Sequence, residues 1–198
     1  MTHGLQLLLV GVTGYALVSF SVGELVNVGI PLVLAFVPVV LRYRGYRLHP
    51  VVGLLIALAA TLHVFGSLGL YQSVGWYDQL AHAVSASLVA GVGVALLQAV
   101  DRYRESIVIP SRLRFVFLFV FVTAIGVCWE IAEFSVELIA TLTGSQALLT
   151  QYGLSDVVLD ILFDALGAVV VAALGTQYFR HLGRLIGRQI GVREHEDA

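Results

Sequence analysis

A chain of 198 residues that is 59% hydrophobic and only 12% charged, with a mean hydropathy of +0.92, carries about half the ~25% charge content of a soluble domain and reads as an integral membrane protein. A net charge of −2, the absence of lysine and a single cysteine, Cys128, exclude a basic face for nucleic acid, a lysine nucleophile or Schiff base, an intrachain disulfide and a thiolate zinc cluster. Met1-Thr2-His3 lacks the positive start of a cleaved signal peptide, so the first apolar run is expected to be retained.

An apolar run of about 20 residues crosses a bilayer as a helix that satisfies its own backbone. Six such spans are predicted: Leu5–Val22, Leu25–Leu41, Val51–Tyr71, Asp78–Gln98, Phe115–Ala140 and Asp156–Tyr178. Pro31 and Pro38 are expected to kink the second. The fold class is thus all-α, a bundle of six transmembrane helices forming one domain over residues 1–178. Residues 179–198 follow as an amphipathic tail with arginines at i, i+4, i+8. The tail reads either as an interfacial helix against anionic lipid or as an extension of the sixth helix.

All eleven arginines fall in three segments: Arg42–Arg47, Arg102–Arg114 and Arg180–Arg193. With six spans these share one side, and the positive-inside rule makes both termini cytoplasmic in a plasma-membrane protein. Five of the thirteen acids accompany the arginines. The other eight are Glu24, Asp78, Glu130, Glu133, Glu137, Asp156, Asp160 and Asp164, and no arginine or lysine shares their region.

At about 1.5 Å per residue, His63 sits roughly 18 Å from the inner boundary, Glu130 about 22 Å along its span, and Asp160 and Asp164 about 6 and 12 Å below the outer start of the sixth helix. Asp78 and His82 are i, i+4; Glu130, Glu133 and Glu137 are i, i+3, i+7; Asp156, Asp160 and Asp164 are i, i+4, i+8. Each set shares one helix face, and polar faces in lipid turn inward. The fourth span is rich in Ala, Gly and Ser, which permits close packing. Several buried carboxylates cannot all ionise without partners. The remedies are protonation, the two histidines, or a bound cation. Imidazole with carboxylate suits zinc, manganese or iron, and carboxylates alone suit magnesium or calcium.

The same residues carry a resemblance. His63, then Trp76-Tyr77-Asp78-x-x-x-His82, then Trp129-Glu130-x-x-Glu133-Phe134, then Asp156-x-x-x-Asp160-x-x-x-Asp164-x-x-Gly167 together resemble the YjdF-like family of small multi-pass membrane proteins, over roughly His63 to Ala168. The resemblance supports the site and implies no reaction.

The expected metal ligands are His82, Glu130, Asp160, Asp164 and Asp78, with Glu133 and His63 as the acid–base groups of a divalent-metal centre. Plainer roles compete at several positions. Asp78 and Asp156 stand where helix-start caps stand, Glu137 and Glu24 near the outer interface, and Cys128 and Trp129 read as packing. The upstream element of phospholipid-forming phosphotransferases, the Glu-x-x-His pair of di-iron bundles and the Gly-x-Ser-x-Gly elbow are all missing. Apolar runs below Glu130 and Asp164 make the cluster a pocket open to one side. That favours an enzyme or binding site for a lipid-linked or amphiphilic substrate over the alternatives, a cation, proton or solute transporter and a structural polar network. Membrane lipids are the expected partners; oligomeric state is not legible.

Overall fold

The computed structural model describes residues 4, 6–8, 10–12, 14, 22–103, 108–145, 147, 149 and 151–196. Most of the first expected span, Leu5–Val22, lies outside the described residues, as does the side chain of Glu24. Among the described residues the elements are helical: α1 (Val22–Tyr43), α2 (Pro50–Phe65), α3 (Tyr77–Tyr103), α4 (Ser111–Thr143), α5 (Leu154–Val170) and α6 (Arg180–Glu196). Four stretches are long and apolar enough to cross a membrane: Pro50–Ser73, Tyr77–Arg102, Ser111–Thr143 and Leu154–Arg188. A shorter apolar helix covers Asn27–Tyr43. At 33 residues, α4 is about 50 Å long, well beyond a hydrocarbon core of about 30 Å.

Local chemistry sets the helix ends. His49 caps α2, its Nδ1 accepting from the Val51 amide at 3.2 Å, and Pro50 occupies the first turn, where its missing N–H costs nothing. At its far end α2 passes into a π-helical turn, Gly66–Leu70, and a single α-turn, Tyr71–Ser73. α5 passes through a π segment, Val171–Gly175, and a 3₁₀ turn, Thr176–Phe179, into α6. The helical run is therefore continuous from α5 into α6, across residue 178. α1 runs through Pro31 and Pro38 as one helix, and Gln6 Nε2 donates to Ala35 O at 2.8 Å, one turn before Pro38.

α3 is the central element, packed by α5, α6, α2 and α4. Its small residues let these neighbours close in. Val52, Ala86, Ala90, Val94, Leu118, Val122, Ala168, Val171 and Phe179 form the main apolar core. Two glycines allow contacts that no other residue would. A Cβ on Gly167 of α5 would run into Ala83 O and the Ser87 amide of α3, and a Cβ on Gly126 of α4 would overlap the Asp164 carboxylate. Ile131, Leu138, Ile139 and Leu142 on α4 and Leu162 and Leu166 on α5 point outward and exposed, as lipid-facing side chains do.

Candidate metal centre

α3 and α5 start, and α4 ends, at the arginine-free end of the bundle, so their acids meet there. His82, in the second turn of α3, is the hub. Its Nδ1 lies 3.2 Å from Asp164 Oδ1. Its Nε2 lies 3.8 Å from Asp78 Oδ1, one turn earlier on the same helix, and 4.0 Å from Asp160 Oδ2 on α5. With the Asp164 carboxylate accepting, a proton belongs on Nδ1, and Nε2 is the ring nitrogen that faces Asp78 and Asp160.

One ligand atom from each of Asp78, His82 and Asp160 lies within 4.8 Å of the others. Ligands about 2.1 Å from a tetrahedral zinc stand about 3.4 Å apart. The observed 3.8 and 4.0 Å exceed that by roughly half an ångström, and the Asp78–Asp160 pair lies within 4.8 Å, so the three groups converge more loosely than bound ligands do. Asp160 is 1% exposed, and among the described residues its Oδ1 has no hydrogen-bond partner. Glu130, 5% exposed, leaves Oε1 equally unmet, while its Oε2 accepts from Gln151 Nε2 at 3.3 Å. Two buried carboxylate oxygens without donors call for a proton or a cation.

The expected residues divide into three groups. Asp78, His82, Asp160 and Asp164 form the cluster just described, with Asp164 on the other ring nitrogen from the two carboxylates. Glu130 is tied to the α4–α5 loop through Gln151, whose backbone amide also donates to Glu137 Oε2 at 3.3 Å. Glu137 thus holds the loop. His63 and Glu133 form a third group, joined through Trp129. The Trp129 ring meets His63 edge-on with centroids 6.5 Å apart, and its Nε1 donates to Glu133 Oε1 at 2.9 Å. Among the described residues no hydrogen bond or ion pair links His63 or Glu133 to Asp78, His82 or Asp160.

Asp156 stands in the first turn of α5 and is not its N-cap, which is Gly153; its Oδ2 accepts from the Tyr152 amide at 3.1 Å across the helix start. Asp78 makes its contact with His82 instead. Cys128 is exposed on α4, which corrects its reading as a packing residue: it points away from the protein interior. Trp129 does more than pack, since it carries a hydrogen bond within the site.

Two participants escape sequence reasoning. Tyr71 OH reaches His63 Nδ1 at 3.4 Å because the π turn redirects the chain, and because Gly66 has no Cβ where the Tyr71 ring lies. On a regular helix residues eight apart stand about 12 Å apart along the axis, so the spacing gives no sign that this pair touches. Gln151 lies in a loop, where no periodicity operates; its only signal is a polar side chain between two acid-bearing helices.

These features define an integral membrane protein of helical bundle architecture with a histidine–carboxylate cluster between its helices. The chain belongs to the family described as predicted membrane protein (DUF2238), whose model matches residues 1–181. The YjdF-like resemblance of the motifs is consistent with this. The chain is also similar to a Thermotoga maritima protein described as an uncharacterized protein, 28% identical over 137 residues. That match covers 68% of this chain and 66% of the relative, so the chain spans just under two thirds of the relative's length. No solved structure matches.

Proposed function

We propose that this protein is a divalent-metal site in the plasma membrane, with six spans over residues 1–178, both termini and the 179–198 tail cytoplasmic, and the metal in the outer half. His82 Nε2, Asp78 and Asp160 would hold the ion, which would supply a Lewis acid for bound water. Asp164 orients the imidazole as an outer-shell carboxylate does in many metal sites. Glu130 stands by as a further ligand through its unmet Oε1. The observation that carries the reading is the convergence of Asp78, His82 and Asp160 within 4.8 Å, in a region that no arginine or lysine enters.

The work of such a centre is the activation of water against a lipid-linked or amphiphilic substrate. Glu133 and His63 are the acid–base pair, held by Trp129 and Tyr71 at the flank of the site. A transporter needs a polar path that continues inward. Thr123 Oγ1, two turns below Glu130 on α4, is buried without a partner among the described residues and favours that reading. The next buried positions, Val122, Leu118 and Val94, are apolar and favour a one-sided site.

Metal content of the detergent-purified protein, measured against an Asp160→Asn/Asp164→Asn variant, tests the proposal. Near one equivalent in the wild type and a marked loss in the variant is expected. The variant should also melt lower, since a ligand at 100 times its Kd adds about 2.7 kcal/mol. A metal-free wild type, with a variant as stable or more so, favours a proton-sharing network instead.

A further inference from the structure

The arginine-bearing end of the bundle holds a second constellation, remote from the histidine cluster. A cavity of about 340 Å³ lies between the end of α3 and the start of α6, lined by Gln98, Asp101, Arg102, Arg180, Gly183 and Arg184. Its one carboxylate is already engaged: Asp101 Oδ2 is 2.6 Å from Arg114 Nη1. Among the described residues Arg102, Arg180 and Arg184 have no carboxylate partner, and all three are exposed. Three guanidinium groups around one cavity with no anion of their own suit a phosphate.

Packing builds this arrangement. Gly183 is buried, and a Cβ there would press on Gln98 and on Ala95 O of α3. With only hydrogen at that position α6 lies close on α3, which carries Arg180 and Arg184, one turn apart, to the side of Arg102. Gln98 Nε2 donates to Thr176 O at 3.0 Å and pins the junction where the helical run changes from π to 3₁₀ winding. Gln98 is also a wall of a second cavity, about 310 Å³. Apart from Gln98, Ser111, Arg114 and Thr176 its lining is apolar, including Leu97, Phe115, Leu118 and Ala172.

We infer that this end of the protein is a binding site for an anionic phospholipid, the headgroup phosphate held by Arg102, Arg180 and Arg184 and an acyl chain laid in the apolar cavity beyond Gln98. The two cavities have the two halves of an amphiphile's chemistry and share one wall. Free phosphate would use the arginines alone. The site does not depend on the metal centre.

Native mass spectrometry of the full-length protein, titrated with phosphatidylglycerol or phosphatidylcholine, reads the inference directly. Phosphatidylglycerol should bind at one saturable position in preference to phosphatidylcholine. A basic side chain near the membrane surface contributes on the order of 1 kcal/mol toward an anionic lipid, so Arg102→Gln/Arg180→Gln/Arg184→Gln should weaken binding about 100-fold. The charge-matched control Arg42→Gln/Arg44→Gln/Arg112→Gln should leave it within about threefold. Ala172→Trp, which fills the apolar cavity, should weaken the lipid while leaving glycerol phosphate unaffected. Equal losses in both triple variants mean diffuse surface electrostatics and overturn the site. Displacement of the lipid by inorganic phosphate as effectively as by glycerol phosphate, together with an inert Ala172→Trp, overturns the lipid assignment in favour of free phosphate. Size-exclusion profiles and lipid-free melting temperatures of the variants separate loss of binding from loss of fold.

Discussion

Asp164 Oδ1 lies 3.2 Å from Nδ1 of His82, while Asp78 and Asp160 face the opposite ring nitrogen, Nε2. One carboxylate therefore fixes the imidazole and the other two converge with it on a common point. This separates roles that helical spacing alone cannot separate, since Asp160 and Asp164 sit on the same face of α5.

The division has a consequence for variants. Asp164→Ala removes the acceptor for Nδ1–H and should weaken metal binding about 10- to 100-fold, the usual effect of losing an outer-shell partner, with one equivalent still bound at saturation. Asp164→Asn keeps an acceptor and should lose less. Asp160→Asn removes a ligand and should lower the saturating stoichiometry itself. Titration of each variant with zinc checks the order; equal behaviour of Asp160→Asn and Asp164→Ala would contradict it.

Close packing around the cluster makes two glycines sensitive in different ways. At Gly167 the obstruction is the α3 backbone, which cannot swing aside, so Gly167→Ala should destabilise by about 1–3 kcal/mol, read as a lower melting temperature. At Gly126 the obstruction is the Asp164 carboxylate. Gly126→Ala should displace that side chain and weaken metal binding more than it lowers stability. An unchanged metal affinity in a folded Gly126→Ala protein would count against the link between Gly126, Asp164 and His82.

Metal binding should depend on pH with a fixed sign. The ligands act as neutral imidazole and ionised carboxylate, so binding releases protons. Affinity should fall as the pH is lowered from about 8 to about 5, through the range in which an imidazole charges. Zinc affinity measured by competition with a pH-corrected chelator checks this. Affinity that is flat over the range would show that His82 is not a ligand.

Much of this was legible in the sequence. The i, i+4 pair Asp78/His82 and the i, i+4, i+8 set on α5 declared their shared faces because a helix repeats every 3.6 residues. The small residues of the fourth span announced the close contacts now seen at Ala83, Ala86 and Ser87. The choice of ring nitrogen was not legible, because it depends on the rotation of α5 about its own axis against α3. Nor was the redirected Tyr71, since a π turn has no hydropathy signature. The tail boundary at residue 178 falls inside a continuous helical run, within its 3₁₀ turn Thr176–Phe179, just before arginines begin to alternate with apolar residues.

Topology is open to chemical labelling in a Cys128→Ser background. Cysteines at positions 75 and 144 should react with an impermeant maleimide in sealed cells, and one at position 44 should react only after permeabilisation. Labelling of position 44 from outside would reverse the orientation and place the cluster on the cytoplasmic side.

The most direct measurement of the central claim is an anomalous-difference map from crystals of the full-length protein grown with zinc or manganese. The account predicts one strong peak about 2.0–2.3 Å from His82 Nε2, Asp78 and Asp160, with Asp164 still bonded to Nδ1. Well-ordered side chains at these four positions with no peak between them, in crystals soaked at saturating metal, would contradict it.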